Sequence, residues 1–187
     1  MDYFTSDLHI GHDKPFIWQA RGFDSIEEHD TQILLRWNAT VSPEDTVYIL
    51  GDLCMGGNEP EWNRIYKILN GHKKFIHGNH DTLTKIERYV NEYSMEDLGL
   101  AAIYKYCKKK KYYLSNYPTY TMNYEDKKNP LINLFGHTHQ KNNFFNDNPY
   151  MYHVGLDSHN CTPVSIEQII KDIEKYKIEL EQEKWRF

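Results

Sequence analysis

Short apolar runs and helix-periodic segments alternate along the first half of the chain, and short apolar runs dominate the second half. Residues 3–8 (YFTSDL), 46–50 (TVYIL) and 73–77 (KKFIH) read as strands. Between them, Ser25 followed by Glu28 forms a capping box that opens a helix to about Thr40, with Ile26, Ile33, Leu34 and Trp37 on its apolar side. Asn58 with Glu61, and Pro60 in the first turn, predict a second helix through Leu69; another follows at about 82–92. Strand patterns at 101–106, 111–115, 131–135 and 151–154 follow, the first two joined across Lys108–Lys111. Ser165 with Gln168 caps a last helix to about Trp185, with Ile166, Ile169, Ile170 and Ile173 on one side. Helices between the early strands and hairpins among the later ones predict an α/β (α+β) chain of two packed sheets with helices outside.

At 187 residues the chain suits a single domain, 1–187, with a sizeable core. It contains no bilayer-length apolar stretch and no basic, apolar signal segment, so a cytoplasmic protein that is a monomer or homodimer is expected. The net charge of -5 does not favour nucleic acid, although bound divalent cations would reverse the local sign. Cys54, Cys107 and Cys161 are too scattered for a disulfide framework or a ligand pair and read as buried thiols.

Candidate chemistry concentrates in DLHIGH (7–12), GDL (51–53), GNHD (78–81), SNYP (115–118) and GHTH (136–139), each following an apolar strand pattern. Asp7 and His9, like His137 and His139, are two residues apart, so in extended backbone each pair projects to one side. Carboxylate, imidazole and amide oxygen together suit Mn²⁺, Zn²⁺ or Fe²⁺ better than the all-oxygen shell of Ca²⁺.

These motifs, with WN (37–38), RGF (21–23), LNG (69–71) and VGLDSHNCTPVS (154–165), resemble the calcineurin-like metallophosphoesterases of the small single-domain bacterial or phage type. The resemblance implies a four-layer α-β-β-α sandwich of two packed mixed sheets, with two metal ions at one edge: Mn²⁺, or alternatively Fe²⁺, Zn²⁺ or Ni²⁺. It implies that Asp7, His9, Asp52 and His139 hold the first ion, and that Asp52 bridges to a second held by Asn79, His137 and residue 116. His80 would face the substrate without ligating, oriented by Asp81. A metal-bridging hydroxide would attack phosphorus in line, His80 stabilising the phosphoryl group or protonating the leaving oxygen.

Relatives have histidine in an LSHYP-like run where this chain reads Leu114-Ser115-Asn116-Tyr117-Pro118. Asn offers only an amide oxygen, so the second metal position is expected to be weaker. Three readings of Asn116 stand: a tolerated variant, an engineered trap for ligand, or a protein that binds metal, phosphate or nucleotide without hydrolysis. The substrate expected is a small phosphate ester or nucleotide, a phosphodiester first and a phosphomonoester as alternative.

Other residues have two readings each. His12 either contacts substrate or caps a helix beginning near Asp13, and Arg21 either reaches a phosphate or anchors the RGF loop. His77 and His153 read as core or backing groups, His29 and His72 as surface residues. Lys108–Lys111 among Tyr104, Tyr106, Tyr112 and Tyr113 could touch nucleic acid, but a solvated turn is the better reading. Tyr120, Tyr124 and residues 119–130 could form a lid or rim, whereas Trp18 and Trp37 read as packing. The polar C-terminal residues, with Trp185 and Phe187, could cover the body or meet a second copy.

Overall fold

The structure, a computed structural model, describes residues 1–55, 65–107, 110–122 and 128–184. The expected caps Asn58 and Glu61, Pro60, Lys108, Lys109, Tyr124, Trp185 and Phe187 lie outside the described residues. One mixed sheet contains β1 (Asp2–Thr5), β2 (Thr46–Leu50), β3 (His72–Ile76), β4 (Glu96–Asp97) and β9 (Val164–Ser165), in the order β4-β3-β2-β1-β9. The other contains β5 (Ala101–Lys105), β6 (Lys111–Ser115), β7 (Ile132–Phe135) and β8 (Met151–His153) in sequence order. The two packed mixed sheets flanked by helices agree with the expected class.

The expected later hairpins are only partly present. β5 and β6 pair antiparallel, but β6, β7 and β8 are mutually parallel. The connections 116–131 and 136–150 are long enough to carry the chain back to the starting edge. Strand composition alone did not register this, because buried parallel and antiparallel strands share the same apolar residues. The short edge strands β4 and β9 also escaped the pattern, at two residues each.

Alternation along β2 divides the core. Val47 and Ile49 pack with Ile33, Trp37, Ile86 and Tyr89 of two helices, whereas Leu50 on the other face joins Phe4, Ile76, Leu114, Leu134 and Tyr152 between the sheets. Those helices are Ile26–Thr40 and Leu83–Tyr93. The first opens as expected: the Ser25 hydroxyl accepts the Glu28 N–H at 3.1 Å, while the Glu28 carboxylate accepts the N–H of Asp24 at 2.8 Å. The helix Ile166–Lys184 places Ile166, Ile169 and Ile173 in the inter-sheet core. Cys54 and Cys161 are buried but Cys107 is exposed, contrary to the expectation for all three. Among the described residues no helix is long and apolar enough to cross a membrane.

Because Ile49 is fully buried in a central strand, Ile49→Ala is expected to lower the unfolding free energy by about 2–5 kcal/mol. Ile103→Ala, at a half-exposed edge position, should change it by less than about 0.5 kcal/mol. Urea titration reads both as midpoint shifts, and equal midpoints would refute this division between core and edge.

Candidate metal centre

Parallel pairing brings the strand ends of both sheets to one edge. β1, β2 and β3 run together, as do β6, β7 and β8, and a parallel bridge from Ser6 to Gly155 joins the exits of β1 and β8. The β1 and β2 loops continue to pair beyond their strands: Asp7 N–H donates to Gly51 O at 3.0 Å and His9 N–H to Asp52 O at 3.1 Å. Asp7, His9, Asp52, His137 and His139 all have left-handed backbone, with φ between 49° and 68°. That conformation costs an ordinary residue about 1–2 kcal/mol, so five neighbouring instances mark a site held in shape by its surroundings.

Asp7 is fully buried. Its Oδ2 accepts the Ser6 hydroxyl at 2.5 Å and the His137 N–H at 2.8 Å, while its buried Oδ1 has no hydrogen-bond partner among the described residues. Burial pushes its pKa up to about 7, against the pull of His139. His9 is also buried, which pushes its pKa down to about 2 and keeps the ring neutral with a free lone pair. Its Nε2 lies 3.1 Å from Nε2 of His139, and donor atoms of Asp7, His9 and His139 all fall within 4.8 Å of one another.

Asp52 is buried beside this cluster; its Oδ1 accepts the His80 N–H at 2.9 Å, and burial raises its pKa. A Cβ on residue 78 would collide with that carboxylate, which explains the glycine of GNHD. Asn116 is buried, its Nδ2 donating to Leu50 O at 2.8 Å. The carbonyl end is thereby turned the other way, and Oδ1 is buried with no partner among the described residues. His137 is half-buried against the Tyr117 ring, 4.2 Å between centroids, and burial lowers its pKa. Asn79 is exposed on the turn after Gly78.

Leaving a buried carboxylate oxygen and a buried amide oxygen unpaired costs about 1–3 kcal/mol each, more for the charged group. A divalent cation bound at either oxygen removes that oxygen's penalty, and carboxylate, imidazole and amide donors are the types such ions accept. The residues therefore fit a metal site. His9, His12, Asp52, His80, His137 and His139 line a cavity of about 500 Å³ in front of it.

Sequence reasoning missed Asp157, although the run VGLDSHN contains it. Its carboxylate accepts His139 Nδ1 at 2.9 Å and a two-pronged pair from Arg21, Nε at 3.0 Å and Nη2 at 2.9 Å. Burial would raise the Asp157 pKa, but the hydrogen bonds from His139 and Arg21 hold it well below the usual carboxylate range. With Nδ1 fixed by Asp157, His139 presents Nε2 to the cluster. The signal available was a carboxylate following the last strand pattern, the same placement as the other candidate ligands.

The structure decides between the two readings of Arg21, in favour of the loop anchor, and corrects other expectations. Arg21 does not reach towards a phosphate: its side chain is 1% exposed, bound to Asp157, the carbonyls of Asp7 and Leu8, and His29. His29 is buried rather than on the surface, bridging Arg21 and Asp30. Asp81 does not orient the His80 ring; its Oδ2 accepts the N–H groups of Asp52 and Gly78, both at 2.9 Å, and its Oδ1 accepts Tyr89 Oη at 3.2 Å. It fixes the Asp52 and Gly78 turns instead. His12 caps no helix: the turn Pro15–Trp18 has Lys14 at its N-cap, and His12 faces the cavity. His153 is buried behind Asp7, His77 bonds Asp97 at 2.6 Å, His72 is exposed, and Tyr120 is exposed without lining the cavity.

Two outcomes follow. Asp157→Asn should weaken Mn²⁺ binding by about 10–100-fold in isothermal titration, and an unchanged affinity would remove Asp157 from any role behind His139. The unfolded-state pKa of an aspartate is about 3.9, whereas folded Asp7 stands at about 7, so the folded protein holds an extra proton in between. Metal-free protein should therefore lose thermal stability as pH rises from about 4 to about 7; Asp157 has the opposite sign and acts only below about pH 4. Mn²⁺ at pH 7.5 should raise the unfolding midpoint again by binding the native state, as scanning calorimetry would show.

The family model described as calcineurin-like phosphoesterase matches residues 3–172. An uncharacterized protein of Methanocaldococcus jannaschii is 31% identical over 183 residues, covering 94% of this chain and 93% of that protein. The Gene 66 protein of Mycobacterium phage D29 is 30% identical over 196 residues, covering 92% and 97%. A crystal structure of a protein of unknown function from Aquifex aeolicus superposes with a TM-score of 0.70 at 27% identity, covering 91% of this chain and 98% of that one. With the family model spanning both sheets and the Asp7, His9 and His139 cluster lying at their shared edge, the chain belongs to the calcineurin-like phosphoesterases and is a metal-dependent hydrolase of phosphate esters.

Proposed function

We propose that this protein hydrolyses phosphodiesters at a dinuclear centre, with Mn²⁺ as the working metal. Asp7, His9, Asp52 and His139 would hold one ion; Asp52, Asn79, Asn116 and His137 would hold the other. The observation that carries this reading is the pair of buried oxygens without partners among the described residues, Asp7 Oδ1 and Asn116 Oδ1, together with the facing Nε2 atoms of His9 and His139. Asn116 supports the reading despite replacing histidine, because its amide is pinned on Leu50 and its oxygen is left to serve as a donor. Metal ions bound there supply Lewis acidity towards phosphate oxygens and make water more acidic.

The chain's own residues account for the rest. His80 lines the cavity with its backbone N–H held by Asp52, so its ring is placed beside the cluster without belonging to it. It donates a proton to the leaving ester oxygen, a contribution of typically 10²–10⁴-fold. A diester is favoured over a monoester by the charges around the cavity. The nearby Arg21 is turned away to Asp157, leaving imidazoles and the lysines Lys14 and Lys141 to meet a phosphate, which suits a singly charged ester.

The test is hydrolysis of bis(4-nitrophenyl) phosphate and 4-nitrophenyl phosphate by metal-stripped protein titrated with Mn²⁺. Diester turnover abolished by chelator is expected, with His80→Ala lowering kcat about 10²–10⁴-fold while Mn²⁺ affinity stays within about twofold. Asn116→His should tighten the weaker of two Mn²⁺ binding events. One binding event in the wild type, or diester hydrolysis indifferent to chelator, would refute the dinuclear reading.

A further inference from the structure

The cavity that holds the candidate ligands continues past them into a wall of a different character. Phe16, Ile17, Ala20 and Met55 line it, and none of them has a part in metal binding or proton transfer. Phe16 belongs to the short turn Pro15–Trp18, whose Ile17 is buried, so the backbone is anchored while the Phe16 ring stands 68% exposed. The ring is not loose in solvent: His12 packs edge-on to it with centroids 5.5 Å apart, and His12 in turn lies 5.3 Å from His9. A large exposed aromatic ring attached to a polar site costs hydration free energy unless something covers it.

Two further features describe what would cover it. The His12 ring lines the cavity next to Phe16, so a polar group stands at the edge of the apolar wall. Lys14 and Lys141 stand at the same cavity with their charges available to an anion. A group that is flat, apolar on its face, polar on its edge and tethered to an anion meets all of these demands. About 500 Å³ is also more than a bare phosphate fills and lies in the range of small-molecule sites.

We propose that the wall of Phe16, Ile17, Ala20 and Met55 is a nucleobase subsite, so that the phosphate esters handled here are nucleotides or nucleotide diesters. The base stacks on Phe16, its edge meets the His12 ring, and its phosphate lies towards the ligand cluster with Lys14 and Lys141 at the rim. This rests on the phosphoesterase reading above and adds to it the part of the substrate that is recognised. Base stacking on one aromatic ring is sequence-tolerant, so the subsite selects for the presence of a base more than for its identity.

The experiment is isothermal titration of the Mn²⁺-loaded protein with AMP, ribose 5-phosphate and hexyl phosphate, independently of turnover. AMP is expected to bind at least about tenfold more tightly than either of the others. Phe16→Ala should remove most of that preference without altering ribose 5-phosphate binding, Phe16→Tyr should restore it, and Met55→Ala should reduce it in part. Equal affinity for AMP and ribose 5-phosphate overturns the subsite while leaving the phosphoesterase reading intact. Hexyl phosphate binding as tightly as AMP overturns it in favour of a general apolar wall. AMP preference in a protein that hydrolyses no diester sustains the subsite and refutes the hydrolytic reading, and failure of AMP to bind refutes the subsite while diester turnover alone decides the hydrolytic reading.

Discussion

A single buried carboxylate ties the molecule together. Asp7 has no solvent exposure, and three separate pieces of chain and its own neighbour Ser6 meet on it: its N–H goes to Gly51 after β2, its carbonyl accepts from Arg21, and its Oδ2 accepts from Ser6 and from His137 after β7. Burying a carboxylate is expensive unless its oxygens are satisfied. Three of those contacts are with distant segments, including one from the opposite sheet, so the two sheets cannot shift at this edge without exposing or orphaning the charge. Oδ1 has no partner among the described residues, and that remaining demand is what a cation answers.

The backbone is shaped to the same end. Left-handed conformations at Asp7, His9, Asp52, His137 and His139 turn side chains inwards at strand exits where extended backbone would send alternate residues to opposite faces. The adjoining turns have little room: a Cβ on residue 136 would press on Ser6 and on the Asp7 carboxylate. Inter-loop hydrogen bonds such as His9 to Asp52 hold these conformations, which isolated loops would not keep. The strain thus lies where the chemistry lies, and the apolar cores on either side of the first sheet supply the stability that tolerates it.

Behind the ligands stands a charged layer that ordinary motif reading underrates. Asp30 bonds His29, His29 meets Arg21, Arg21 grips Asp157, and Asp157 holds His139. Each member is mostly buried and each compensates its neighbour, so the layer is satisfied as a whole while fixing the orientation of one imidazole. The three histidines His9, His12 and His139 accordingly differ in role despite lying in one cavity: His139 is held from behind by a carboxylate, His9 has its Nδ1 buried without a partner among the described residues, and His12 faces Phe16.

The sequence by itself determined the elements and the chemistry that travels with them. Alternation in TVYIL, the Ser25 and Glu28 box, the isoleucine spacing after Ser165 and the run of His and Asp after apolar strands are local facts, and local physics suffices to read them. Tertiary structure decided everything that depends on which segment meets which. Whether β6, β7 and β8 run parallel depends on how their connections return, not on their residues. Arg21 could have served a phosphate or a carboxylate from its side-chain chemistry alone; the proximity of Asp157, 136 positions away, assigned it to the carboxylate. Likewise, nothing local makes Asp81 a clamp for the Asp52 turn or leaves the Asn116 oxygen unpaired among the described residues, because each outcome is set by a partner brought from another strand exit. Side-chain chemistry is written residue by residue, but burial and partnership are properties of the packed whole.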